Sequence, residues 1–163
     1  MPPPSPELYQ TITALKSLYC RLTDSNSLPQ LQTAILSPDS FTAHFIDSDT
    51  RLPISDFNRT WSFSSASDFT SFYSSLLGSG SVQTLHLISG APELEQTSPD
   101  EIKAIFTLSY SIADKSAQDG GWIGHGGGRY FETWKRDQEK EGKWRLETLR
   151  FERGFWKIMG KME

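Results

Sequence analysis

The spacing of the apolar residues changes once along this chain, near residue 81, and this change most restricts the folds open to it. Before residue 81 the apolar residues recur every three or four positions, and the clearest set is Leu8, Ile12, Leu15, Tyr19 and Leu22. That spacing places side chains on one face of a helix. After residue 81, apolar and polar residues alternate over long stretches, which is typical of strands. Helices followed by long strands predict an α+β domain.

Three helices and one short strand are predicted in the first half of the chain. Ser5 as N-cap and Pro6 in the first turn begin the first helix. The predicted elements are a helix at 6–22, a helix at 28–35, a strand at 41–46 and a helix at 69–77. Residues 1–5 are expected to form a flexible tail, and residues 6–163 a single domain.

Four long strands are predicted in the second half of the chain. They lie at 81–89, 101–113, 122–136 and 143–158. A Pro-containing loop at 90–100 is expected to join the first two strands. The polar residues 137–142 are expected to form a hairpin turn between the last two.

The strand at 101–113 carries apolar residues on both faces. One face holds Ile102, Ala104, Phe106 and Leu108, and the other holds Ile105 and Thr107. Because such strands need cover on both sides, the sequence predicts a strongly curved, mainly antiparallel sheet wrapped around the helices, with a cavity at the open end of the cone. Apolar residues on the outer side of 101–113 and 143–158 predict association through that face.

Charge and cysteine content exclude several classes of protein. The net charge of −4 argues against a nucleic-acid-binding protein. Cys20 is the only cysteine, so neither an intrachain disulfide nor a cysteine-rich metal site is available. No signal-peptide pattern and no apolar run of bilayer length occurs. Three scattered histidines with no paired spacing also argue against a bound metal. We therefore expect a cytoplasmic protein with no membrane or nucleic-acid partner.

Three segments combine into a recognisable pattern. The first segment, at 126–134, reads Gly-Gly-Gly-Arg-Tyr-Phe-Glu-Thr-Trp, and a charged turn and Gly-Lys-Trp-Arg-Leu at 142–146 follow it. Thr-Leu-His-Leu-Ile lies at 84–88, and Tyr-Cys-Arg-Leu-Thr-Asp at 19–24. In this order they resemble the last hairpin, the third strand and the end of the first helix of SnoaL-like proteins. These belong to the superfamily of nuclear transport factor two and scytalone dehydratase.

The resemblance implies both a fold and a class of reaction. The fold is the cone-shaped α+β architecture of that superfamily. The fungal scytalone-dehydratase-like and polyketide cyclase-like enzymes are nearest in character, and they dehydrate, isomerise or cyclise polyketide-like or terpenoid substrates of secondary metabolism without a cofactor. The implied partner is an apolar, oxygenated small molecule, and the implied assembly is a homodimer or homotrimer.

The resemblance also points to catalytic residues. Asp24 matches the aspartate that follows the first helix, His86 the first cavity histidine, and Tyr130 an inward position of the last hairpin. An aspartate bonded to one imidazole nitrogen orients the ring and makes the other nitrogen a better base. The Tyr130 phenol would polarise a substrate carbonyl. The plain alternatives are a turn residue for Asp24 and a core histidine for His86.

The chain departs from scytalone dehydratase at the second catalytic histidine. Residues 108–111 read Leu-Ser-Tyr-Ser, with no histidine, so a relay of two histidines is not transferable. The candidate substrate contacts are Tyr19, Phe45, Trp61, Phe106 and Ser109. Core packing is the preferred explanation of Tyr19, and it explains Trp61 as well as a substrate contact does. Ser109, Tyr110 or Ser111 could bond a substrate oxygen, but each would be a poor base near neutral pH.

The two other histidines, His44 and His125, receive no role. Alternation from Tyr130 predicts that His125 points away from the cavity. Two functions remain: a cofactor-free lyase, isomerase or cyclase with acid–base chemistry by His86 and Asp24, or a non-catalytic domain that binds a small molecule or another protein. A His86–Asp24 hydrogen bond in an open cavity would favour the enzyme, and a cavity filled by Phe and Trp the binding domain.

Overall fold

Three helices form one side of the molecule. The computed structural model describes residues 3–78, 80, 82–115, 121–137 and 142–160. The helices described are α1 (Pro6–Asp24), α2 (Leu28–Ala34) and α3 (Ala66–Gly78). The Ser5 hydroxyl accepts a hydrogen bond from the Leu8 amide at 3.2 Å, which confirms Ser5 as the N-cap of α1. None of these helices is both long and apolar enough to span a bilayer.

Nine strands are described in the rest of the chain. The short ones are β1 (Thr42–Asp47), β2 (Ser55–Asp56), β3 (Arg59–Thr60), β4 (Ser62–Phe63) and β6 (Glu93–Ser98). The longer ones are β5 (Val82–Ile88), β7 (Glu101–Asp114), β8 (Ile123–Asp137) and β9 (Lys143–Met159). The four long strands predicted from the sequence are thus confirmed to within one or two residues.

The main sheet has the order β4-β1-β9-β8-β7-β5, with β6 also paired to β7. All its neighbours are antiparallel except β1 and β9, which are parallel. The inner face of β7 is buried at Ile102, Ala104, Phe106 and Leu108. The predicted curved, mainly antiparallel α+β fold is confirmed.

The chain between 90 and 100 contains a strand where a loop was predicted. β6 pairs with the first half of β7, from Glu93 opposite Ile105 to Ser98 opposite Glu101. The strand was missed because Leu94 is its only large apolar residue. β5 pairs only with the second half of β7, so β6 provides hydrogen-bond partners for backbone groups that would otherwise lack them. Tertiary pairing, not side-chain alternation, makes this segment a strand.

Residues 47–60, which show little periodicity, include a small hairpin. β2 pairs with β3 through a turn in which Phe57 and Asn58 have φ angles of 55° and 59°. Two such residues in succession fit the tight turn that right-twisted hairpins favour. The expected turn at 137–142 is flanked by the pair Asp137–Lys143, while residues 138–141 lie outside the described residues. The expected tail at 1–5 is described from residue 3 onward, and its flexibility stays a prediction.

Candidate active site

A narrow cavity lies between the concave face of the sheet, α3 and residues 54–61. Its volume is about 40 Å3, room for about three water molecules. Aromatic rings form most of the wall: Phe45, Phe57, Trp61, Tyr73, Tyr110, Tyr130, Phe151 and Trp156. The polar members of the wall include Asp56, Thr84, His86 and Arg153. Apolar walls with a few polar groups are typical of sites for small molecules.

Asp24 joins the end of α1 to β5 by three hydrogen bonds. Its Oδ1 lies 2.6 Å from His86 Nδ1 and 2.9 Å from the Thr84 hydroxyl, and its Oδ2 accepts the backbone N–H of His86 at 2.9 Å. The side chains of His86 and Asp24 are 8% and 16% exposed. These three hydrogen bonds engage both oxygens of the Asp24 carboxylate and so fix its position. The bond to Nδ1 in turn orients the imidazole ring of His86.

This arrangement assigns the two ring nitrogens of His86. An ionised carboxylate can only accept hydrogen bonds, so Nδ1 carries the proton that it shares with Asp24. Nε2 makes no hydrogen bond to any described residue, and the ring lines the cavity. Nε2 is therefore the nitrogen available to take a proton from a bound molecule and to return it.

Tyr110 and Arg153 form the wall beside His86. The Tyr110 ring stacks between His86 and Trp156, with centroids 6.1 and 5.6 Å away. Burial raises the pKa of the Tyr110 phenol to about 12, and the nearby Arg153 guanidinium offsets part of that shift. Tyr110 thus stays a neutral hydrogen-bond donor at physiological pH. Arg153 Nη1 donates to Asp56 Oδ2 at 2.8 Å.

A buried ion pair lies beneath Tyr130, on the floor of the cavity. Lys16 Nζ is 2.5 Å from Glu132 Oε1, and neither side chain is exposed. The same ammonium lies 3.6 Å from the Tyr130 ring centroid and 4.1 Å from that of Tyr19. Burial raises the pKa of Tyr19 and of Tyr130 well above the usual value, so both phenols are neutral. Glu132 Oε2 also accepts from Trp134 Nε1 at 2.9 Å.

The structure brings four of the predicted site residues to the cavity wall: Phe45, Trp61, His86 and Tyr130. Asp24 lies behind His86 and does not line the wall. Tyr19 and Phe106 are buried around Lys16 and do not line it either. Their predicted contact with substrate therefore has no support in this geometry, and both belong to the packing under the floor.

Ser109 lies on the outer side of the sheet, in a depression that it shares with Gly127 and Phe155. Side chains alternate along β7, and Tyr110 instead shares the inner face with Phe106. This placement argues against the predicted contact of Ser109 with a molecule in the cavity.

The two remaining histidines lie away from the cavity. His125 points outward, where its Nδ1 is 3.1 Å from the Ser111 hydroxyl. His44 is exposed, and its Nδ1 is 2.9 Å from the Ser62 hydroxyl. In the described part of the chain, no group of three or more His, Cys, Asp or Glu side chains is placed to hold a metal ion.

Sequence reasoning missed Arg153 and Trp156 as cavity residues, and it offered Tyr110 only as an alternative to Ser109 and Ser111 for a bond to a substrate oxygen. Tyr110 continues the inward series of β7, so alternation alone could have identified it. Arg153 is two residues from the inward Phe151 and was open to the same argument. Trp156 was not, because Gly154 is an extra residue on β9 opposite Gly127 and Gly128, and this bulge reverses the facing of the residues that follow.

Comparison with known proteins gives one close relative in sequence. Over 155 residues the chain is 36% identical to the probable cyclase FGR4 of Gibberella zeae, and the match covers 95% of this chain and 97% of that protein. The chain belongs to the family of this probable cyclase. Membership of the FGR4 family confirms the prediction of an enzyme of the lyase, isomerase or cyclase type. No protein-family model matches the chain.

Solved structures support the fold of this FGR4 relative. A nuclear transport factor 2-like superfamily protein from Salmonella enterica has a TM-score of 0.69 at 14% identity, covering 91% of this chain and 92% of that one. A candidate scytalone dehydratase from Novosphingobium aromaticivorans has a TM-score of 0.66 at 13% identity, covering 91% of this chain and 85% of that one. The predicted cone-shaped α+β fold is confirmed, and at these identities the likeness concerns the fold alone.

Proposed function

We propose that the protein is a cofactor-free lyase, isomerase or cyclase that moves a proton on a polyketide- or terpenoid-like small molecule. The observation that carries this proposal is the 2.6 Å contact between Asp24 and Nδ1 of His86 at the wall of an aromatic cavity. Kinship with a probable cyclase supports the same class of reaction. The cytoplasmic location stays a prediction from the sequence.

The chemistry assigned to the site is proton transfer by one histidine. His86 Nε2 accepts a proton from carbon or oxygen of the substrate, while Asp24 stabilises the imidazolium that forms. The neutral Tyr130 phenol donates a hydrogen bond to a substrate oxygen. The same imidazolium then returns the proton, because the cavity wall offers no second histidine in the described residues. A single group that serves first as base and then as acid suits dehydration, isomerisation and cyclisation.

The narrowness of the cavity favours the second candidate function, a non-catalytic binding domain. A volume of about 40 Å3 is too small for a polyketide-sized molecule, so the wall must open to admit one. Phe57 belongs to that wall. It occupies the β2–β3 turn with a φ of 55°, a conformation that costs a bulky residue free energy. A domain of this kind would bind a ligand without changing it.

The decisive experiment follows turnover and binding together. The purified chain is incubated in D2O with a panel of cyclic β-hydroxyketones and enones, and mass spectrometry records loss of water, uptake of deuterium or a change of retention at constant mass. General acid–base assistance contributes about 10²- to 10⁴-fold in rate. His86→Ala should lower turnover by that order, and Asp24→Asn by less, because the ring loses its orientation but keeps Nε2.

His125→Ala is the matched control, because it removes a histidine from the outer face. It should leave turnover unchanged. Normal turnover by a folded His86→Ala protein would overturn the acid–base assignment. Tight binding of panel members, seen as quenching of tryptophan fluorescence but without any conversion, would instead establish the binding domain.

We also propose that the protein self-associates through the outer face of the sheet. Leu85, Leu87 and Phe155 are 54%, 57% and 51% exposed there. Leu87 and Phe155 are the ends of one row across four strands, with Ser109 and Gly127 between them. The apolar patch is thus supplied by β5 and β9, whereas β7 contributes small side chains at its centre. A homodimer or homotrimer is the expected assembly.

A further inference from the structure

Arg153 brings a cation to the cavity wall and keeps one donor unused. Its Nη1 donates to Asp56 at 2.8 Å, and its Nη2 lies 3.5 Å from Asp47 Oδ2. Its Nε is buried and has no hydrogen-bond partner among the described residues. Because a buried N–H without an acceptor destabilises the folded state, such a group calls for a partner that the protein itself does not supply.

The surroundings of Arg153 hold it in a fixed position. The two terminal nitrogens of the guanidinium pair with carboxylates from different segments, Asp47 at the end of β1 and Asp56 in β2. The Arg153 carbonyl also accepts the Ser48 hydroxyl at 2.5 Å. Only 14% of the Arg153 side chain is exposed. The guanidinium is therefore oriented before any ligand binds, which is the arrangement that stabilises developing charge most effectively.

Tyr110 supplies a second donor beside this cation. The nearby Arg153 guanidinium lowers the pKa of the Tyr110 phenol, against the larger effect of burial, and the Tyr110 ring stacks on His86. Gly126 makes the position available, because a Cβ there would lie 2.6 Å from both the Cζ and the hydroxyl oxygen of Tyr110. The base and the two donors thus belong to one continuous part of the wall.

We infer that Arg153 and Tyr110 form the binding site for a substrate carbonyl oxygen, so that the substrate is an enolisable ketone or ester whose acidic C–H faces His86. This inference rests on the proposed function and specifies its substrate class. A permanently charged carboxylate fits less well, because Asp47 and Asp56 already balance the charge of Arg153. An oxygen that becomes negative only during the reaction matches a cation held by such partners.

The resulting reaction is balanced without any co-reactant. The C–H bond next to the carbonyl breaks, its proton moves to Nε2 of His86, and its electron pair forms a C=C bond as the C=O pair moves onto oxygen. Arg153 and Tyr110 donate to that oxyanion. If a hydroxyl stands on the next carbon, the carbonyl re-forms as the C–O bond breaks, and the imidazolium protonates the departing oxygen to give water. Otherwise the proton returns to another carbon, and the product is an isomer.

The experiment uses 4-nitrophenol, whose phenolate carries a delocalised oxyanion like that of an enolate and absorbs visible light. The probe is titrated with the full-length protein over a range of pH. The wild-type chain should bind the phenolate in preference to the phenol and so lower the apparent pKa of the bound probe. Arg153→Gln should weaken phenolate binding by about tenfold or more, the usual effect of losing a hydrogen bond from a charged group. Tyr110→Phe should weaken it by a smaller factor.

Two matched controls remove the same chemistry elsewhere. Arg145 also has a buried Nε without a partner among the described residues, but it donates to the Thr33 carbonyl, away from the cavity. Tyr9 donates to the Pro92 carbonyl. Arg145→Gln and Tyr9→Phe should bind phenolate as the wild type does. Equal phenolate binding by Arg153→Gln and by the wild type, or no preference for phenolate in the wild type, would overturn the inference.

Two further variants keep the test decisive. If Arg153→Gln does not fold, the comparison of Tyr110→Phe with Tyr9→Phe decides the outcome, since both change one hydroxyl and no volume. His86→Ala separates this inference from the proposed function. The His86→Ala protein should lose turnover and still bind phenolate. If the acid–base assignment is wrong, phenolate binding by the wild type is unaffected. If the oxygen site is wrong, the loss of turnover in His86→Ala is unaffected.

Discussion

The buried Lys16–Glu132 pair shows how single residues support the floor of the cavity. Two opposite charges lie where neither side chain contacts water, so each depends on the other for its stabilisation. The ammonium also lies against the faces of Tyr19 and Tyr130, which adds a cation–π attraction. Tyr130 is thereby held from below by a charge, while its ring packs against Phe151 at 4.9 Å.

We expect Lys16→Met to destabilise the fold by about 3–5 kcal/mol, because it leaves the Glu132 carboxylate buried without its counter-ion. The double variant Lys16→Met/Glu132→Gln should recover most of this loss, since glutamine removes the charge and can still accept from Trp134. Urea unfolding measures both. Lys135→Met is the control, because Lys135 is 48% exposed and its pairs with Glu101 and Glu147 should contribute less than about 1 kcal/mol.

A loss of less than about 1 kcal/mol in Lys16→Met would show that water reaches Glu132 and that the pair is not a structural support. Failure of the double variant to recover stability would show that packing of the Lys16 side chain, and not its charge, is what the floor requires.

At the scale of elements, β8 is shaped by the aromatic side chains of its neighbours. A Cβ at Gly124 would lie 2.0 Å from the Trp156 ring. One at Gly128 would lie 2.1 Å from the Glu152 carbonyl oxygen and 2.9 Å from the Phe151 ring. Gly126 likewise lies against Tyr110. In this part of β8 the inner face has no side chains, and aromatic rings from β7 and β9 pack against its backbone. We therefore expect the cavity wall to require glycine at positions 124, 126 and 128.

Gly126→Ala should displace the Tyr110 phenol and destabilise the protein by about 1–3 kcal/mol, the usual cost of forcing an extra methyl into a packed interior. It should also weaken binding of 4-nitrophenolate, because one of the two donors moves. Thermal unfolding and the visible titration give the two readouts. Gly78→Ala at the end of α3 is the control. The nearest atom to its Cβ would be 3.6 Å away, and alanine suits a helix, so stability should hold or rise. Wild-type stability and binding in Gly126→Ala would contradict the requirement for a bare strand.

At the scale of the whole molecule, we expect the outer face of the sheet to govern association. Leu87→Glu places a charge at the β5 end of the exposed apolar patch and should convert the expected dimer or trimer into monomers at micromolar concentration. Light scattering after size-exclusion chromatography measures the mass. Leu52→Glu is the control, because Leu52 is 64% exposed in the loop after β1. A wild-type chain that is already monomeric would refute association through this face.

The sequence determined the order and kind of most elements. Apolar spacing in α1 and in the four long strands reflects which face each element must bury, and that requirement holds in any fold that the chain adopts. The start of α1 at Ser5 also has a local cause. The Ser5 hydroxyl accepts a hydrogen bond from the Leu8 amide, which has no partner within the helix. Segments such as β6, β2 and β3 carried no such signal, because partner strands and a turn, not their own side chains, make them strands.

The proposed catalytic pair illustrates what the sequence and the structure each contribute. His86 and Asp24 are 62 positions apart, and only the resemblance to SnoaL-like proteins linked them before the structure joined their side chains. The sequence by itself fixed the α+β class and the inward faces, because burial follows the period of each element. The tertiary structure decided the site. Arg153, Tyr110 and His86 come together because of the register between their strands. Trp156 faces the cavity because of the bulge at Gly154. The spacing of residues along the sequence encodes neither the register nor the bulge.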